Sequence, residues 1–148
     1  VKPEVSRFLE VASEALLAEM VPNIAPAYRQ ASLMTTGVMI GLVRDEFERA
    51  AERRVVENRE LRRIFQEAVS IVQDQELSDR LASAAAGQEK SFLISELERN
   101  NAELRGLLIE LHAHVEGQAT PEALRLEAQI WRELVASTER RRVAIALF

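Results

Sequence analysis

Residues 31–43 read Ala-Ser-Leu-Met-Thr-Thr-Gly-Val-Met-Ile-Gly-Leu-Val, thirteen positions without a charge in a chain that is 29% charged. On a helical wheel the apolar side chains point every way, Val38 and Leu42 to one side, Val43 and Ile40 to the other. A helix apolar all round is normally buried all round, so this stretch is expected to be the central helix of a bundle. It is too short for a bilayer, which takes roughly 17–25 residues. Gly37 and Gly41 form a G-x-x-x-G, which lets another helix approach closely. Close packing within the chain is the favoured reading of that motif, ahead of dimerisation.

Outward from this stretch the pattern stays helical. Pro3 suits a first helical position, and Phe8, Leu9, Ala12, Leu16 and Met20 follow at three- and four-residue spacing until Pro22 and Asn23 interrupt. Pro26 opens the second helix. Beyond Val43 charges crowd in, and the Asp45–Arg49 pair suggests that the helix leaves the core near residue 44. Asn58 is expected to cap a third helix carrying Leu61, Ile64, Phe65, Ala68 and Val72, with an unbroken helix through 54–60 as the alternative. Asp74 caps a fourth helix, with Leu77 and Leu81 inward, ending at Gly87. Gly87–Ser91 is the expected mobile connection. Ser95 and Glu98 match a capping box for the fifth helix, which carries Leu97, Asn101, Leu104, Leu108, Leu111 and Val115. Thr120-Pro121 starts the sixth, with Leu124, Ile130, Trp131, Leu134 and Val135 as its inward arc. An apolar run, 143–148, must then pack on something.

Composition agrees. A chain of 148 residues, 47% hydrophobic, fits one domain over 1–148 with a core of its own. It has no cysteine, which excludes disulfides, thiolate metal sites and a thiol nucleophile. A net charge of −5 argues against non-specific nucleic-acid binding. Lys2 and Lys90 are the only lysines, the remaining basic residues being arginine, a bias that suits a GC-rich bacterial genome. No segment alternates with period two. The expectation is an all-α, up-and-down helical bundle of about six helices, cytoplasmic by default because no leader pattern opens the chain.

Chemistry is thinly marked. His112 and His114 point about 200° apart on a helix and cannot chelate one metal, and neither follows a Glu-x-x-His spacing, so no metal or cofactor is expected. His112 lies near an apolar arc with Glu116 four residues on, either as a satisfied core imidazole or as a general base or ligand donor. Glu127 projects among Leu124, Ile130, Trp131 and Leu134. A carboxylate there needs an arginine or histidine, or else anchors a ligand pocket walled by Trp131 and Tyr28. Asn101 in a core slot is the kind of residue that sets register in coiled coils, which makes Asn101, Leu104 and Leu108 a candidate homodimer seam. Arg140-Arg141-Arg142 complements a helix C-terminus or, less simply, meets a phosphate. No P-loop, dinucleotide fingerprint or nucleophile elbow is present.

Leu107-Leu-Ile-Glu-Leu-His-Ala-His-Val-Glu116 and Ile130-Trp-Arg-Glu-Leu-Val-Ala-Ser-Thr-Glu-Arg-Arg-Arg-Val143 resemble segments of an uncharacterised family of small bacterial all-helical proteins. Relatives in that family accompany acyl-CoA dehydrogenases and aminoglycoside-phosphotransferase-like kinases. The resemblance implies an accessory role and no catalytic residues. The resulting expectation is a non-enzymatic, homodimeric helical interaction protein. The alternative is a small-molecule binder or enzyme, with an acyl group or acyl-CoA between helices at His112, Glu127, Trp131 and Tyr28.

Overall fold

The computed structural model describes residues 4–142, so the apolar run 143–148 lies outside the described residues. Helix α1 spans Val5–Glu14 and runs on as a π-helical stretch, Ala15–Met20, and a 3-10 turn, Val21–Asn23. Then come α2 (Ala27–Ala68), α3 (Gln75–Ala85), α4 (Ile94–Glu116) and α5 (Pro121–Arg140). The fold is all-α, with no strand among the described residues.

The expected second and third helices are one. Helix α2 runs for 42 residues, about 63 Å at ~1.5 Å per residue. Residues 54–60 contain neither Gly nor Pro, and an interior Asn costs only a fraction of a kcal/mol in helix propensity. Asn58 is therefore not a cap; it is a buried mid-helix residue bonded to other elements. Among the described residues this leaves five α-helices rather than six. Asp74 and Thr120 do cap their helices, accepting from Leu77 N and Ala123 N. The Ser95–Glu98 box is displaced, because α4 starts after Leu93 with no side-chain cap.

The chain divides into two compact units, one ending at Ala50 and the other Ala51–Arg142. The second unit holds the core: Leu61, Ile64, Phe65 and Ala68 of α2, Leu77 and Leu81 of α3, Leu104, Leu107, Leu108, Leu111 and Val115 of α4, and Ala123, Leu126 and Ile130 of α5. Arg80–Glu110 ties α3 to α4, His112 meets Trp131 across α4 and α5, and Ser137 reaches Glu57 on α2. These pairings give an up-down-up-down order within the unit.

The N-terminal unit is built differently. Leu17 faces Gly37, Ser13 faces Gly41, and Glu10 pairs with Arg44 at 3.6 Å, so α1 and its π-helical extension run antiparallel to α2. Contact is close because Gly37 lacks a side chain: a Cβ there would sit 2.7 Å from Leu17 Cγ. The Ser13 hydroxyl donates to the Gly37 carbonyl at 2.9 Å. The glycine motif thus serves packing within the chain. The 31–43 stretch is not the central buried helix, however. Only Gly37 within it is buried, while Met34, Met39 and Val43 are exposed. Among the described residues one neighbouring helix covers one stripe of this part of α2, whereas the buried centre lies at 61–68.

Leu111→Ala should lower unfolding free energy by about 2–5 kcal/mol in urea titration, since its side chain is fully buried. Ile109→Ala on the same helix, largely exposed, should stay within about 0.5 kcal/mol.

Candidate functional site

Helix α5 turns only part of its expected arc inward: Ile130 is buried and Leu134 packs on the core, but the buried face is rotated from the rest of that arc. Ala123, Leu126, Ile130 and Ser137 are buried, while Leu124, Trp131 and Val135 are more than half exposed. Helix α5 carries two apolar stripes, and the one chosen also brings Ser137 and Arg141 onto a buried acid. That acid is Glu57, 1% exposed.

Arg141 donates Nε–H to Glu57 Oε1 at 2.8 Å and Nη2–H to Oε2 at 2.5 Å, a two-pronged grip on the carboxylate. Ser137 Oγ donates to Oε1 at 2.9 Å, and Arg105 in turn donates to that hydroxyl at 3.3 Å. Asn101 Nδ2 donates to Glu57 Oε2 at 3.2 Å and to Asn58 Oδ1 at 2.8 Å, and its Oδ1 accepts from Arg141 at 3.0 Å. The chain of bonds continues through Asn58 to Glu89, which also takes donors from Arg62 at 2.6 Å and Asn100 at 2.8 Å. Helix α3 is short, and beyond its end the segment carrying Glu89 lies against α2 and α4. The Gly87–Ser91 connection, expected to be mobile, is pinned at its centre by three donors.

Electrostatics follow from this geometry. Burial pushes the Glu57 carboxyl up, but the Arg141 and Ser137 hydrogen bonds and the charges of Arg141 and Arg105 outweigh it and hold it below the ordinary carboxylate value. Glu89 behaves alike: burial is overcome by Arg62, Asn100 and Asn58. Glu133 goes the other way. Its burial, with Glu60 and Glu57 nearby, outweighs its partner Arg140 and raises it.

The residues singled out from sequence fare unequally. Asn101, Leu104 and Leu108 are buried inside the chain, so they do not form a dimer seam; Asn101 bonds to α2 and Arg141 instead. Glu127 is half-buried beside the inward face, and the buried carboxylate of this unit is Glu57. His112 and Trp131 do meet, edge to face at 5.2 Å, with the Trp131 ring half exposed. Tyr28 lies in the N-terminal unit, exposed, with Arg29 over its ring. A cleft of about 240 Å³ is lined by Glu89, Arg99, Asn100 and Glu103 among others, and another of about 310 Å³ by Arg63, Gln129, Arg132 and Glu133. The proposed ligand anchors line neither of them. Arg140, Arg141 and Arg142 each have a carboxylate partner, Glu133, Glu57 and Glu139, rather than standing open to a phosphate. No group of three or more potential metal ligands occurs among the described residues, nor any helix long and apolar enough to cross a membrane.

The sequence reading missed the open surface of the N-terminal unit. Between residues 4 and 49 only Ser13 and Gly37 are buried. Phe8 is 68% exposed, Met39 61% and Phe47 58%, with Val5 and Val43 close to half. Thr35 and Thr36 return their hydroxyls to the Ala31 and Ser32 carbonyls and so leave their methyl groups outward. The missing charge in 31–43 was the signal; it marks an apolar surface rather than a core. Comparisons with protein-family models, curated protein sequences and solved structures find no match for the chain.

Depressed folded-state values for Glu57 and Glu89 mean that their stabilisation is complete above about pH 4.5 and lost as pH falls through the folded values. Glu133, raised, opposes this weakly, gaining stability as it protonates. Glu57→Gln should cost about 2–3 kcal/mol at pH 7, less than the loss of a fully buried pair because Arg141 is partly open to water. It should also flatten the acid limb of a stability–pH curve measured by urea titration. An acid limb as steep as wild type would assign that limb to other carboxylates.

Proposed function

We propose that this protein is a non-catalytic, cytoplasmic helical interaction module that uses the open apolar face of its N-terminal helix pair to dock amphipathic helices. The carrying observation is the contrast inside that unit. Gly37 and Gly41 of α2 meet Leu17 and Ser13 in the contact between its helices, while Phe8, Met39, Val43 and Phe47 are exposed. Exposed apolar patches of this extent mark interaction sites in soluble proteins. The second unit supplies the stable, closed part, in which Glu57 and Glu89 are fully engaged with donors. An accessory role beside acyl-CoA enzymes has only the resemblance of residues 107–116 and 130–143 behind it. The pocket reading lacks its anchor, since Glu127 does not line a described cleft.

A photo-activatable amino acid at Met39, expressed in the native host, should give adducts of discrete mass. The same probe at Glu48, exposed outside the apolar face, should give none. Equal, diffuse labelling at both positions would contradict the docking reading.

A further inference from the structure

A carboxylate can only accept hydrogen bonds and a guanidinium can only donate them. Charges at two ends of a side-chain network therefore set the direction of everything between. Within the second unit Glu89 ends such a network on one side and Arg141 on the other. Asn58 turns its NH2 to Glu89 at 3.0 Å, which leaves its Oδ1 to accept. Asn101 fills that acceptor with its own Nδ2 at 2.8 Å, and the same NH2 donates to Glu57 Oε2 at 3.2 Å. Asn101 Oδ1 then takes the Arg141 Nη2–H at 3.0 Å. Donors run head to tail from Arg141 through two amides to Glu89.

Neither amide can turn alone. Turning Asn101 over would set its oxygen against those of Glu57 and Asn58 and its NH2 against the guanidinium, losing three bonds at once. Asn58 is 0% exposed and Asn101 1%, so bulk water does not reach either to replace a lost partner. The relay is thus either joined or undone, with little between.

We infer that this relay is a latch coupling the segment around Glu89 to the end of α5, so that releasing either end releases the other. Glu89 is the end open to influence, because it lines the cleft of about 240 Å³ together with Lys90, Arg99 and Asn100. It also holds the connection between α3 and α4 to Asn58 and Arg62 of α2 and to Asn100 of α4. Gly87 lets that connection lie close over Arg62, where a Cβ would stand 3.4 Å from Nε. At the far end Arg141 closes the last turn of α5 through its N–H to the Ser137 carbonyl, and its side chain grips Glu57. A cationic group entering the cleft competes with Asn58 for the Glu89 carboxylate. Withdrawing Glu89 strands the Asn58 NH2; a turn of Asn58 then presents a donor to the Asn101 NH2, and Asn101 in turning away gives up Arg141. The latch is independent of the docking face of the N-terminal unit.

The chain carries its own reporter, because Lys2 and Lys90 are its only lysines and Lys90 adjoins Glu89. A lysine-specific endoproteinase therefore has one internal site, and its rate there measures release of the segment. Arg141→Gln loosens the opposite end, while Leu111→Ala weakens the core without touching the relay. With urea adjusted to give wild type and both variants the same global stability, Arg141→Gln should be cut after Lys90 about fivefold faster or more, and Leu111→Ala at the wild-type rate. Rates that follow global stability alone overturn the inference. The reciprocal measurement covers an Arg141→Gln chain that fails to fold. In Glu89→Gln, exchange of the Arg141 Nε–H with solvent, read by NMR, should quicken by a similar factor. Glu110→Gln, which removes the charge of the exposed Arg80 pair, should leave it unchanged. An Nε–H that exchanges in Glu89→Gln as in wild type, or responds equally to Glu110→Gln, overturns the latch.

Discussion

Two packed helices can hide only the stripes that touch, and in the N-terminal unit the stripe on α2 is made of glycine, with Leu17 and Ser13 set against it. Ser13, Gly37 and Gly41 bring α1 and α2 so close that backbone nearly meets side chain. Such close approach is bought with glycine: Leu17 fills the space at Gly37, and the large side chains elsewhere on α2 flank the contact. Phe8, Met39, Val43 and Phe47 are open in consequence. The proposed docking role rests on that uncovered surface.

The second unit solves burial within itself, and one acid shapes its solution. A carboxylate as deep as Glu57 must be neutralised where it stands. Arg141, Ser137 and Asn101 do so from the ends of two other helices, and Arg105 supports them. These requirements account for the inward face of α5. Leu124, Trp131 and Val135 form as apolar a stripe as Ala123, Leu126 and Ile130, but only the latter is in phase with Ser137 and Arg141. Replacing the polar cluster with aliphatic residues would leave two equivalent ways to seat α5; the cluster distinguishes them.

Much of the second unit was legible in the sequence. The four-three spacing of Leu97, Asn101, Leu104, Leu108, Leu111 and Val115 marks the buried face of α4, and every one of those residues is buried. Leu61, Ile64, Phe65 and Ala68 behave the same way on α2. The candidate site was less legible, for a physical reason: periodicity reports where apolar residues align, not which polar residue they enclose. Glu57 sits in a run of charges, 52–54 and 57–63, that reads as a solvated face. Its partners are 44, 80 and 84 positions away along the chain. Glu127 has apolar neighbours on the wheel, but they divide: Ile130 and Leu134 turn to the core while Leu124 and Trp131 stay exposed, which leaves Glu127 at the boundary. The stretch 31–43 stands out by its missing charge, but apolarity all round implies burial only where several helices surround it, and among the described residues one does.

Amide hydrogen exchange of the full chain is the most direct measurement of the contrast between the two units. Protection through 5–17 and 28–47, where only Ser13 and Gly37 are buried, should be lost in local openings well below global unfolding, while 57–68 and 97–115 exchange only on global unfolding. Protection of 5–17 and 28–47 equal to that of 57–68 would contradict an open N-terminal surface.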